Sequence, residues 1–179
     1  MNPAELIARL EGRVTVLESL GGEPEIETQD ISFALAKIHD PIALDLIRIK
    51  YGLNDCDKTR LLGRFYFATN TLAEERHWQL KDDGTLVHLC KEVLNDYLNS
   101  HVCDVCSGRK HAMIGSKLVV CPNCGGVGIK FPTDKNRAKR IGIGVRQYQR
   151  IWGSRFAQLM ADLAGREITA LSTMAQALE

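Results

Sequence analysis

Apolar residues recur at three- and four-residue steps through most of this chain, the period of helices that bury one face. In AELIARLEGRVTVLESL the repeating positions are Leu6, Leu10, Val14 and Leu17, and GGEPE ends the segment. A second helix through ISFALAKIHD takes Thr28 or Asp30 as its cap. A third, PIALDLIRIKY, starts on Pro41, whose fixed φ suits a first turn, and closes at Gly52. Asp55 or Asp57 starts a fourth, KTRLLGRFYFATNTLAEERHW. A fifth, TLVHLCKEVLNDYLN, follows the DDG break at 82–84, with Leu86, Leu89, Val93, Leu94 and Leu98 on one face. The hairpin ALDLIRIKYGLNDCDKTRLLGRF has a helix-turn-helix outline, but its acidic surroundings point to core packing.

After Asn99 the periodicity stops. Glycines gather at 108, 115, 125, 126 and 128, and four of the six cysteines appear in two pairs. Cys103-x2-Cys106 and Cys121-x2-Cys124 are separated by fourteen residues. Two intervening residues let both sulfurs of a pair meet one ion, and four thiolates suit tetrahedral zinc. The glycines that follow each pair supply the positive φ that such knuckle turns need. A closed four-thiolate site holds no open position for water, so one structural Zn2+ is expected, with no catalytic residue. A redox dithiol would need a strand-to-helix junction in a βαβ unit, which the pattern lacks. Disulfides and a four-cysteine iron–sulfur cluster are the competing readings. The insert SGRKHAMIGSKLVV suits a short hairpin with KLVV as one strand. Cys56 and Cys90 stand alone and read as small buried apolar residues. His39, His77 and His88 are isolated, and His101 and His111 flank the first pair without being needed as ligands.

Charge adds a second feature. Residues 1–101 carry eleven Lys/Arg against seventeen Asp/Glu, a net of −6. Residues 130–155 carry eight basic residues against Asp134 alone, a net of +7, inside a protein of formal charge +1. So concentrated a basic stretch implies a polyanionic partner for that part. No run reaches the roughly 18 apolar residues of a membrane span. The amino terminus lacks the pattern of a secretory signal, so a cytoplasmic protein with no membrane partner is expected.

Within the basic stretch, Thr133 is placed to cap a short helix with Ala138 and Ile141 on its apolar side. IGIG at 141–144 supplies a break, with Gly142 suited to a left-handed conformation. A longer helix follows from Val145, with Tyr148, Ile151, Trp152, Phe156, Leu159, Met160 and Leu163 at helical spacing. Helix, glycine turn and longer helix make a helix-turn-helix plan, whose second helix meets the major groove of duplex DNA. Arg146, Gln147, Gln149 and Arg150 would then face bases. Lys135, Lys139 and Arg140 would lie near phosphates, with Arg155 further along, and Arg137 completes the DNA-binding set. The expected architecture is mainly α in three parts. These are acidic helices over 1–101, a four-cysteine zinc-binding knuckle insert over 102–130 and a basic helix-turn-helix over 131–179.

The order of these features is similar to one family. Cys-x2-Cys-x-Gly, a short insert, CPNCGGVG and then QYQRIWGSRFAQLMADL resemble the carboxyl-terminal half of the late-gene antitermination protein Q of lambda-like bacteriophages. The likeness covers about residues 100–179. It implies a non-enzymatic transcription regulator that binds a late promoter and engages paused bacterial RNA polymerase with its primary sigma factor. The modified polymerase would read through pauses and terminators, with no small-molecule substrate involved. The acidic helices would meet polymerase or sigma. DnaJ-type chaperones share the knuckle pattern but carry four repeats, and SGRK after Cys106 lacks their second glycine. A zinc-stabilised protein-interaction module is therefore the alternative reading.

Overall fold

The computed structural model describes residues 28–52, 58–80, 83–99 and 101–178. The helix expected around Leu6–Leu17, the caps Asp55 and Asp57, and Cys56 lie outside them. The chain divides into two compact units: the described residues up to Gln79 together with those from Gln158 onward, and Leu80–Ala157.

The first unit is helical. Helices α1 (Thr28–Ala36), α2 (Pro41–Gly52) and α3 (Lys58–Glu75) start and stop near the predicted positions. Asp40 caps α2, its Oδ1 accepting from the Ile42 N–H at 2.9 Å, so Pro41 occupies the first turn, where its missing N–H costs nothing. Ala34, Ile38, Ala43 and Ile47 close over Ala170 and Met174 of the last helix. Leu61, Phe65, Thr69 and Ala73 form the buried stripe of α3, at steps of four.

α2 and α3 also share a buried acid. Asp45 is fully buried and receives Arg60 Nη2 and Arg64 Nη1, each at 2.7 Å. Arg64 also donates to the Pro41 carbonyl. The helical hairpin noted in the sequence thus turns these two arginines onto its own partner helix. Glu167, similarly buried, takes Lys50 Nζ at 2.7 Å and the Tyr51 hydroxyl at 2.5 Å.

The second unit opens with α4 (Asp83–Leu98). Its predicted stripe is buried at Leu86, Leu89, Val93 and Leu94, and Cys90 is buried beside them. The expected hairpin forms as β1 (His111–Ile114) and β2 (Lys117–Val120), antiparallel, with Ala112 opposite Val119 and Met113 opposite Leu118. α5 (Asp134–Ile141) follows, capped by Thr133, whose Oγ1 accepts from the Asn136 N–H. Gly142 ends it in the left-handed conformation at φ 81°.

From Val145 the chain is helical through Ala177, but not uniformly α. After α6 (Val145–Gln147), Tyr148–Trp152 form a π-helical turn before α7 (Gly153–Ala177). The Gly153 N–H reaches back to the Tyr148 carbonyl, and an added Cβ there would stand 3.4 Å from that oxygen. Tyr148, Trp152, Phe156, Leu159 and Leu163 are buried as the periodicity predicts. Val145 and Ile151, placed on the same stripe by sequence spacing, are instead exposed, at 37% and 44%.

Candidate metal centre and basic helical surface

The two cysteine pairs converge. One ligand atom from each of Cys103, Cys106, Cys121 and Cys124 lies within 4.8 Å of all the others. Cys103 and Cys121 sulfurs are 3.9 Å apart, and those of Cys106 and Cys124 3.7 Å. A tetrahedron with Zn–S bonds of about 2.3 Å has S···S edges of about 3.8 Å. Distances, donor chemistry and number of sulfurs therefore fit a single ion, and the four cysteines can hold a metal.

Backbone bonds set this convergence. The Cys103 N–H donates to the Gly128 carbonyl, Lys130 N–H to the His101 carbonyl, and Val102 pairs with Ile129, so the start of one knuckle is stitched to the end of the other. The Cys121 N–H donates to Lys110, carrying the hairpin ladder into the second pair. Gly128 is indispensable to this stitch. At φ 88°, a Cβ on it would come within 2.8 Å of the Gly108 carbonyl oxygen.

Donors aim at the sulfurs as well. The Gly128 N–H points at Cys124 Sγ at 3.2 Å and Asn123 Nδ2 at Cys103 Sγ at 3.3 Å. The Cys106 backbone N–H, outweighing burial and helped by Asn123, brings the Cys103 thiol down to about 6. Burial, with Cys124 alongside, pushes Cys106 up to about 11. Burial opposes ionisation of Cys124 too, yet the N–H of Gly128 prevails and lowers it. Sulfurs this close cannot all ionise against one another; a cation among them removes the conflict.

The predicted DNA-facing residues divide into two groups. Arg146, Gln147, Gln149 and Arg150 are exposed on the first turns of the helix after Gly144, while Tyr148 and Trp152 of the same turns are buried. Lys135 and Lys139 are exposed on α5. Gln149 Nε2 lies 3.4 Å from Asp134 Oδ2, which tethers the second helix to the start of α5.

The second group makes contacts within the protein, although the Arg140 side chain stays 49% exposed. Arg137 gives its Nε and Nη2 to Asp96 Oδ2, at 2.8 and 2.7 Å, and lies 4.6 Å from the centre of the Phe156 ring. Its side chain is only 17% exposed. Arg140 donates to Glu92 Oε1 at 2.7 Å, and Arg155 stacks over Trp152. Arg137 and Arg140, both expected among the DNA-binding residues, also anchor α5 onto α4. The anchors Glu92 and Asp96 were missed by the sequence reading. Their signal was present: two acids four residues apart, in step with Leu89, inside an apolar stripe. Asp96 also presents its carbonyl to His101 Nε2 at 2.9 Å, tying the residue before the first knuckle to the same helix.

No protein-family model matches the chain, and a search of curated proteins gave no significant match. Among the described residues, no helix is long and apolar enough to cross a membrane.

Proposed function

We propose that this protein is a non-enzymatic DNA-binding transcription antitermination factor, resembling protein Q of lambda-like phages. One structural zinc held by Cys103, Cys106, Cys121 and Cys124 would shape the segment preceding a helix-turn-helix. The observation that carries the reading is the surface of that second helix. Arg146, Gln147, Gln149 and Arg150 stand exposed directly after a glycine turn, backed by buried Tyr148 and Trp152. Such a helix start, rich in arginine and glutamine, is what reads base edges in a major groove. Lys135 and Lys139 on α5 supply the phosphate contacts. Arg137 and Arg140 hold α5 in place from the other side.

Duplex binding by the zinc-loaded chain is expected to weaken steeply with salt as counterions return to the phosphates. Arg146→Ala or Arg150→Ala should cost about 1–3 kcal/mol and relax sequence preference, whereas Lys139→Ala should weaken all duplexes evenly. A gel-shift series with Arg146→Glu and Arg150→Glu decides the DNA assignment; unchanged binding would remove it. Terminator read-through by purified bacterial polymerase decides antitermination separately. Absence of read-through with folded, metal-bound protein would end that part while leaving DNA binding intact.

A further inference from the structure

We propose that the π turn at Tyr148–Trp152, together with Asp134, makes Gln149 the side chain that selects an adenine in the bound duplex. This deepens the DNA reading above and rests on it. In an uninterrupted α-helix Gln149 would not face outward. It lies seven residues before Phe156, and Val145 lies eleven before it, which are about two and three whole turns. Both would then share the inward side of Phe156, which is buried. Instead Gln149 is exposed, Val145 is 37% exposed, and Tyr148 is buried with its ring centre 6.4 Å from that of Phe156. The cause is the bond from the Gly153 N–H to the Tyr148 carbonyl, five residues back. It takes one extra residue into the turn and rotates what precedes it by about 100°. Tyr148 thus replaces Gln149 on the inward side, and Gln149 comes out with the exposed Arg146 and Arg150.

Asp134 orients what the turn exposes. Gln149 Nε2 lies 3.4 Å from Asp134 Oδ2. A carboxylate accepts hydrogen bonds and does not donate them, so the nitrogen end of the amide faces the acid. One N–H and the Oε1 acceptor remain for a ligand. That pair complements adenine in the major groove, where N7 accepts and the N6 amino group donates. Guanine presents two acceptors there, cytosine a donor and thymine an acceptor, so each satisfies at most one end of the amide. Gln147 is exposed in the preceding turn with no such partner among the described residues, and its amide is free to turn either way. Asp134 is also the one acid among residues 130–155, exposed in the first turn of α5. A carboxylate beside phosphates costs affinity, which a surface built for charge alone would avoid. Holding Gln149 in one orientation gives that acid a use.

The test is selection of sites from a randomised duplex pool by the zinc-loaded full-length chain, then titration of the recovered sequence and its single-base variants. The wild type should recover an adenine at one position, where any other base weakens binding about tenfold. Gln149→Ala should erase that preference alone, with metal content and urea midpoint close to the wild type because the side chain is exposed. Gln149→Arg should move the preference to guanine. Asp134→Ala should loosen the same position while tightening binding to every duplex. Loss of a charge that merely complements the start of α5 does not produce those opposite effects. The proposal fails if Gln149→Ala keeps the full base preference, or if the position it controls favours another base. It fails equally if Gln149→Ala lowers the urea midpoint as a core deletion would, the mark of a straight helix. A wild type that binds no duplex removes the DNA reading and this inference together, whereas selective binding indifferent to Gln149 removes the inference alone.

Discussion

Among the described residues of 28–79 and 158–178, large apolar side chains make a core: Leu46, Ile47, Leu61, Phe65 and Met174 are at most 1% exposed, although Phe33, Phe67 and Ile168 stay on the surface. Within residues 102–131 no large apolar side chain is buried, and Met113, Ile114, Leu118, Val120 and Phe131 are more than half exposed. The buried cluster there consists of Cys103, Cys106, Cys121 and Ala112, with Cys124 packed against it. The helical unit is held by transfer of hydrocarbon out of water, reinforced by paired buried acids. A thirty-residue segment has too little hydrocarbon to do the same and replaces the core with sulfur. Its shape should then depend on the ion, because metal binding and folding are one equilibrium in such segments.

Breaking the sulfur core should have the largest effect. Cys121→Ser, or chelation of the wild type, should erase the hairpin amide dispersion and, on the proposed function, duplex binding too, while amides of α2 and α3 stay protected from hydrogen exchange. Acid should do the same, since protons compete with the metal for thiolates. Hairpin dispersion that survives with less than one metal per chain would show that the cysteines do not need the ion.

Gly128→Ala attacks the same module without touching a ligand. The new methyl meets the Gly108 carbonyl at 2.8 Å, backbone against backbone, and φ 88° disfavours any side chain. The knuckles must separate, and zinc affinity should fall by about tenfold or more, as when groups supporting a metal site are lost. A competition titration against a chromophoric chelator reads this directly. Unchanged affinity would mean that the stitch between knuckles does not position the sulfurs.

In the helical unit the comparable lesion is milder. Asp45→Ala removes the acceptor of Arg60 and Arg64. Losing half of a buried pair costs about 3–5 kcal/mol when the remaining charge is buried too. Here the arginine side chains are 44% and 40% exposed and can turn to water. The loss should therefore be nearer about 2 kcal/mol by denaturant unfolding, with metal content unchanged. A loss above the fully buried range would show that the arginines are trapped.

These contrasts explain what was readable in advance. Period and punctuation revealed α2 from Pro41 to Gly52, the KLVV strand, the Thr133 cap and the left-handed Gly142, because each depends on a few neighbouring residues. The four-sulfur cluster was readable for the same reason: Cys-x2-Cys is local geometry, and only the closure between pairs is long-range. The π turn was not, since Tyr148–Trp152 is compatible with an ordinary helix until Gly153 meets the Tyr148 carbonyl. Nor were the partners of Arg137 and Arg140, which lie 41 and 48 residues away in sequence. A basic residue reads as solvent-facing until the fold brings Asp96 or Glu92 beside it.

The finest discrimination between the two regions is the direction of their pH dependence. In the helical unit, burial first, then the hydrogen bond to Glu167 and its charge, hold the Tyr51 phenol well above its ordinary range. An unfolded tyrosine loses its proton near pH 10, whereas the folded one keeps it to higher pH. Above about pH 10 the unfolded chain thus binds fewer protons than the folded one, and stability falls as pH rises. The contribution is complete below pH 10 and drains away on the alkaline side, opposite to the acid-side loss of the metal module. Tyr51→Phe should flatten that alkaline slope while costing about 1 kcal/mol at neutral pH for the lost hydrogen bond. The measurement is unfolding of both proteins by urea between pH 8 and about 11.5, a window set by the tyrosine range. Parallel curves would show that the phenol titrates alike in both states and that Glu167 does not hold its proton.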